Sequence, residues 1–140
     1  MIKKIILGED DYLDKELTVT TLKSIPILNE IVHFDNGQSV LDYIFKQGDF
    51  ENADHDEPGL IILDLKMPKI DGIEVLKQLK NNKATMHIPV IMLTSSKELK
   101  DVIESYGVGA NSYVVKPVNI RDFEDSVRAI GFYWALVNHR

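Results

Sequence analysis

Five short apolar runs, spaced almost evenly along the chain, set the strongest constraint on its fold. They are Lys4–Gly8, Glu30–Phe34, Leu60–Asp64, Ile88–Leu93 and Ser112–Val115. Three are Ile/Val/Leu runs without polar alternation, the pattern of strands covered on both faces in a parallel sheet. Their starts lie 26, 30, 28 and 24 residues apart, so each interval has room for one helix. Helical spacing appears in every interval. Leu13, Leu17, Thr21 and Ile25 mark a first helix that stops before Pro26. Val40, Leu41, Ile44 and Phe45 mark the second, and Ile73, Leu76 and Leu79 the third. Leu99, Val102, Ile103 and Tyr106 mark the fourth, ending near Gly107, and Ile120, Phe123, Val127 and Ile130 the fifth. Strand and helix alternating five times predict an α/β domain, a doubly wound parallel five-stranded sheet with helices on both faces.

Composition narrows the function. The 140 residues are 44% apolar and 27% charged, enough for one domain over 1–140 with a single core. Sixteen Lys and Arg against 22 Asp and Glu leave a formal charge of −6, which argues against broad binding to nucleic acid or anionic lipid. The absence of cysteine removes disulfides, thiol nucleophiles and thiolate metal sites, and fits a reducing compartment. The start has too few apolar residues for a signal peptide, and no run approaches the ~20 of a membrane span, so a cytoplasmic location is expected. The acidic stretch Gly48–Pro58, with no fixed spacing for an ion, reads as a solvated, mobile loop.

Ligands of a doubly wound sheet bind beyond the carboxyl ends of its strands. The first strand ends on Glu9-Asp10-Asp11, the third on Asp64, the fourth on Thr94-Ser95-Ser96 and the fifth on Lys116-Pro117. Carboxylates crowded on one edge disfavour each other's charged form, and a hard dication relieves that repulsion. Mg²⁺ suits one or two carboxylates plus phosphate oxygens, whereas Ca²⁺ wants more protein oxygens than are assignable here. Lys116 supplies an ammonium to pair with an anion on Asp64. Thr94 supplies a hydroxyl donor, and Ser95 is small enough to leave that anion room. Together these are the parts for phosphoryl transfer to a carboxylate.

With Ile5-Ile-Leu-Gly-Glu-Asp-Asp11, Leu60-Ile-Ile-Leu-Asp-Leu-Lys-Met-Pro-Lys-Ile-Asp-Gly72, Ile88-Pro-Val-Ile-Met-Leu-Thr-Ser-Ser96 and Ala110-Asn-Ser-Tyr-Val-Val-Lys-Pro117, the chain resembles the response-regulator receiver family of two-component signalling. The likeness runs over essentially its whole length. It implies a flavodoxin-like (βα)5 fold with strand order 2-1-3-4-5. It further implies that Asp64 is the phosphoacceptor, modified from a phosphohistidine of a sensor histidine kinase. Asp10 would ligate the metal directly, Glu9 would act beside it, often through water, and the Lys66 backbone carbonyl would complete the protein ligands. Thr94 matches the switch hydroxyl, Tyr113 the switch aromatic and Lys116 the phosphate-binding lysine. The Lys116–Pro117 bond is expected to be cis. Chemistry of this kind is self-directed, phosphorylation and autodephosphorylation only, so the chain is not read as an enzyme.

Plainer roles stand beside these. Asp64 has an alternative as a turn cap, Thr94 as a helix cap, Tyr113 as a strand aromatic and Lys116 as a surface lysine. Asp11 reads as a helix-start acid, and Asp71-Gly72 as a turn before the third helix. His33, His55, His87 and His139 show no ligand spacing. The sequence departs from the family in two places. Gly8 stands where a bulkier residue is usual and is expected to loosen the backbone beneath the acids. Lys66 puts a cation two residues past the acceptor, where it would alter phosphoryl lifetime.

No output domain is expected after the fifth helix, so the signal passes by protein contact. The tail carries Phe132, Tyr133, Trp134 and Leu136 on more than one side of an extended last helix. That points to a homodimer around the fourth helix, fifth strand and fifth helix. The tail and the long loop before the third strand also resemble stand-alone regulators paired with bacterial phytochrome kinases. The competing reading is a pseudo-receiver, a fixed protein-binding module, which the intact acids, Thr94 and Lys116 oppose. An aspartyl-nucleophile phosphatase would need a D-x-D-x-T after the first strand, and no nucleotide-binding glycine motif is present.

Overall fold

The computed structural model describes residues 4–24, 30–95 and 107–129. Five strands, β1 (Ile5–Gly8), β2 (Ile31–Phe34), β3 (Leu60–Asp64), β4 (Val90–Thr94) and β5 (Ser112–Val115), form one sheet in the order β2-β1-β3-β4-β5. Every neighbouring pair is parallel. Four helices are described: α1 (Tyr12–Ser24), α2 (Gly37–Phe45), α3 (Gly72–Lys80) and α4 (Ile120–Ala129). The helix expected over 99–106 and the tail with Phe132, Tyr133, Trp134 and Leu136 lie outside the described residues. None of the described helices is long and apolar enough to cross a membrane.

Each strand sends alternate side chains to opposite faces, and so divides the core in two. Ile6, Ile61, Leu63, Val90 and Met92 meet Val40, Leu41, Val75, Leu76 and Leu79 of α2 and α3. Ile5, Leu7, Leu60, Ile62, Ile91, Leu93 and Val114 meet Leu22 of α1 and Phe123 and Val127 of α4. The register brings the strand ends level, with Gly8 opposite Leu63, Asp64 opposite Leu93 and Thr94 opposite Val115.

Local signals set the helix starts. Asp11 accepts from Asp14 N at 2.9 Å, Asn36 from Ser39 N at 2.8 Å and Asp71 from Glu74 N at 2.9 Å, each satisfying an otherwise orphaned amide. Strand β4 begins two residues later than expected. The Ile88 amide is spent on Thr85 O at 3.0 Å, and Pro89 has no N–H to give. At Gly109 the chain turns with φ 124, a backbone setting that suits glycine.

Expectations are corrected at three places, α1, α4 and Gly8. On α1 the inward residues are Thr18, Thr21 and Leu22, while Leu13 is 75% exposed and Leu17 39%. The helix is phased by its capped start at the sheet edge, which turns Asp14 and Thr18 inward and the Leu13–Leu17 stripe out. On α4, Phe123 and Val127 are buried but Ile120 is exposed. The Gly48–Pro58 loop is solvated as expected, with all five of its acids exposed, and it is also anchored. It opens with a 3₁₀ turn at Gly48–Phe50, and the Phe50 ring packs edge-on against Phe34 and Tyr43. The His55 ring stacks on Tyr43 at 3.8 Å, with Nε2 donating to the Tyr43 carbonyl at 2.8 Å. Gly8 leaves no slack: a Cβ there would meet Leu63, Met67 and Val40 at 3.1–3.2 Å.

Candidate functional site

The level strand ends place four segments around one point. The turn after β1 carries Glu9, which is fully buried, and Asp10, which is exposed. β3 ends on Asp64, 5% exposed, and β4 on Thr94, 1% exposed. Lys116 follows β5, and its peptide bond to Pro117 is cis. One carboxylate oxygen from each of Glu9, Asp10 and Asp64 lies within 4.8 Å of the others.

Lys116 reaches into this acidic corner. Its Nζ stands 2.9 Å from Asp64 Oδ2, 2.9 Å from Glu9 Oε1 and 3.0 Å from Asp14 Oδ2. Burial alone would lower the lysine's pKa, but hydrogen bonding to Asp64, Glu9 and Asp14 outweighs it and holds the ammonium above its ordinary range. The opposite happens at Glu9. Burial, reinforced by the neighbouring Asp64, pushes that carboxyl up to about 8. Burial is the larger cause, and a second positive charge beside Glu9 and Asp64 would favour their ionised forms. This set of hard carboxylate oxygens from Glu9, Asp10 and Asp64 fits a divalent cation.

Thr94 Oγ1 donates to Ser95 O at 3.1 Å, beside Asp64 in the sheet. The Lys66 amide approaches Asp64 Oδ1 at 3.4 Å, and its side chain is exposed. Tyr113, 37% exposed, points to the face opposite the buried Ser112 and Val114. Asp11 is spent on capping α1, in keeping with its reading as a helix-start acid. Asp71 caps α3, whose first residue, Gly72, donates its amide to Leu65 O at 2.9 Å.

Two contributors escaped the sequence reading. Asp14 lies one turn into α1, four residues beyond Asp10, and its place in the first turn was the available signal. His33 on β2 donates Nε2–H to the Glu9 carbonyl at 2.7 Å, bracing the turn that carries the acids. Nothing in its sequence surroundings marks it.

The fold and this corner define a receiver domain. Residues 5–128 match the response regulator receiver domain, and the chain belongs to that family. It is 38% identical over 132 residues to the response regulator Rcp1 of Synechocystis sp., covering 94% of this chain and 88% of that one. The bacteriophytochrome response regulator AtBRR superposes with a TM-score of 0.89 at 42% identity, covering 99% of both chains. The solved Mn²⁺-bound form of Rcp1 superposes at 0.77 and 35% identity, covering 99% of this chain and 96% of that one. For the phosphorylated cyanobacterial phytochrome response regulator RcpA the values are 0.79 and 31%, over 100% and 97%.

Proposed function

We propose that the chain is a phosphoacceptor response regulator in which Asp64 takes the phosphoryl group of a histidine kinase's phosphohistidine. The observation that carries this reading is the Lys116 ammonium held 2.9 Å from a nearly buried Asp64 inside an acidic corner. An Asp64 oxygen attacks phosphorus, the N–P bond of the donor breaks, and the departing imidazole takes up a proton. Lys116 and Thr94 then offer positive charge and a hydroxyl to the new phosphoryl oxygens, which is where charge gathers in the transfer. Glu9, Asp10, Asp64 and the Lys66 carbonyl would hold Mg²⁺, which when bound neutralises phosphoryl oxygens. RcpA has been seen phosphorylated and Rcp1 with Mn²⁺, both related over nearly their full lengths.

A donor protein that reaches Asp64 meets α1, whose Asp14 stands at the site. Tyr12 and Leu13 are 71% and 75% exposed there, and α1 packs against α4, where Ile120 is exposed. Their apolar surface beside the mouth supports a protein donor, and the kinship with bacteriophytochrome regulators supports a phytochrome-like kinase. The modified site signals by drawing Thr94 and Tyr113 toward the phosphoryl group and altering the face of β5 and the helices flanking it. Self-association of two copies rests on the tail pattern alone. Light scattering that finds a monomer with and without beryllofluoride removes it.

Incubation with acetyl phosphate and Mg²⁺, followed by intact-mass measurement, tests the central claim. The parent chain gains one phosphoryl group and Asp64→Asn gains none. A parent chain that never gains that mass is a fixed binding module instead.

A further inference from the structure

The Lys116 ammonium occupies two of the carboxylates that a divalent cation needs. It contacts Glu9 and Asp64, and both belong to the three-acid group around the candidate cation position. An entering cation and the ammonium therefore compete for the same oxygens. The third contact of Lys116 is different in kind. Asp14 is outside that group, comes from the first turn of α1, and its side chain is 37% exposed against 0% for Glu9 and 7% for Asp64.

We propose that Asp14 is a positioning residue that holds Lys116 while Glu9 and Asp64 turn to the cation. The inference rests on the phosphoacceptor reading above, since it concerns how the same pocket changes occupants. With Asp14 present, the ammonium gives up its two inner partners and keeps a charged, partly hydrated one 3.0 Å away. It stays over Asp64, placed to meet a phosphoryl oxygen when one arrives. With Asp14 gone, Lys116 has only the carboxylates that the cation claims, and each ion loads at the other's expense.

Two effects of Asp14 must be told apart, because any carboxylate near a cation site raises affinity through its charge alone. A double-mutant cycle separates them. Mn²⁺ is titrated into the full-length parent chain, Asp14→Asn, Lys116→Ala and the double variant, with free ion read by electron paramagnetic resonance. Asp14→Asn weakens Mn²⁺ binding by roughly three- to ten-fold when Lys116 is present, the scale of the net worth of one hydrogen bond. In the Lys116→Ala background the same substitution changes affinity by less than about twofold, since no ammonium needs a second partner. An equal factor in both backgrounds would reduce Asp14 to a distant charge and overturn the proposal. So would an Asp14→Asn chain that binds as the parent does. A parent chain that retains no Mn²⁺ at all removes the cation pocket itself, and the role of Asp14 with it.

Discussion

Gly72 lies so close against the backbone carbonyl of Asp64 that a Cβ at that position would collide with it. The start of α3 is thus docked on the end of the strand that carries Asp64, with Gly72 N bonded to Leu65 O at 2.9 Å. Here the side chain's absence matters, because a close approach of backbone to backbone is what glycine permits.

Gly72→Ala forces α3 away from β3, and the overpacking costs about 1–3 kcal/mol. Chemical denaturation measures the loss. The same variant weakens Mn²⁺ binding, because the shift reaches Asp64. An alanine variant with the parent's stability would mean that α3 slides freely over the strand end.

Lys116→Ala leaves Glu9 and Asp64 facing each other without their shared cation. Lys116 is one of the groups that lower the Glu9 pKa, so in the variant Glu9 keeps its proton to higher pH than in the parent. Above the pH where that proton leaves, the ion-free chain loses about 1–3 kcal/mol. Well below that pH the loss is smaller, because Glu9 takes a proton and the repulsion relaxes. Urea midpoints at two pH values, in chelator, distinguish the cases.

Glu9 also gives the ion-free chain its own pH dependence. Its carboxyl titrates near 8 when folded against 4.5 unfolded, so between those values the folded state binds the extra proton. Stability from this group is fully present below 4.5 and is lost as pH rises through 8. The slope reaches at most about 1.4 kcal/mol per pH unit, one proton's worth. Glu9→Gln flattens it. Denaturation midpoints in chelator from acid to alkaline pH show whether it does.

His55→Ala removes the ring stacked on Tyr43 and frees the 51–58 segment. The cost is about 0.5–1.5 kcal/mol, the range of one aromatic pair. Amide exchange in that segment quickens while phosphoryl acceptance by Asp64 is unchanged. Unaltered exchange would show that Phe50 alone holds the loop.

The sheet was legible because a strand buried on both faces has to be apolar along its length, as β1 is, and as β3 and β4 are up to their final residues, Asp64 and Thr94. The acids, Thr94 and Lys116 were legible because a parallel sheet collects strand ends on one edge whatever lies between them. The inward face of α1 was not. A four-residue recurrence of leucines is a strong apolar signal, yet Asp11 capping and the demand on Asp14 and Thr18 set the helix's rotation. The Gly48–Pro58 loop was legible only in part. Its acids are exposed as read, but Phe50 and His55 pack against Tyr43, a core aromatic outside the α2 stripe read from the sequence. His33 and Asp14 act through contacts 24 and 102 residues apart in the chain, and no local pattern announces such distances.

That last separation bears on when the protein becomes competent. During synthesis the acidic turn, Asp64 and Thr94 all leave the ribosome before β5 and its lysine. Until β5 docks on β4, an emerging chain has its anions but not the ammonium that balances them.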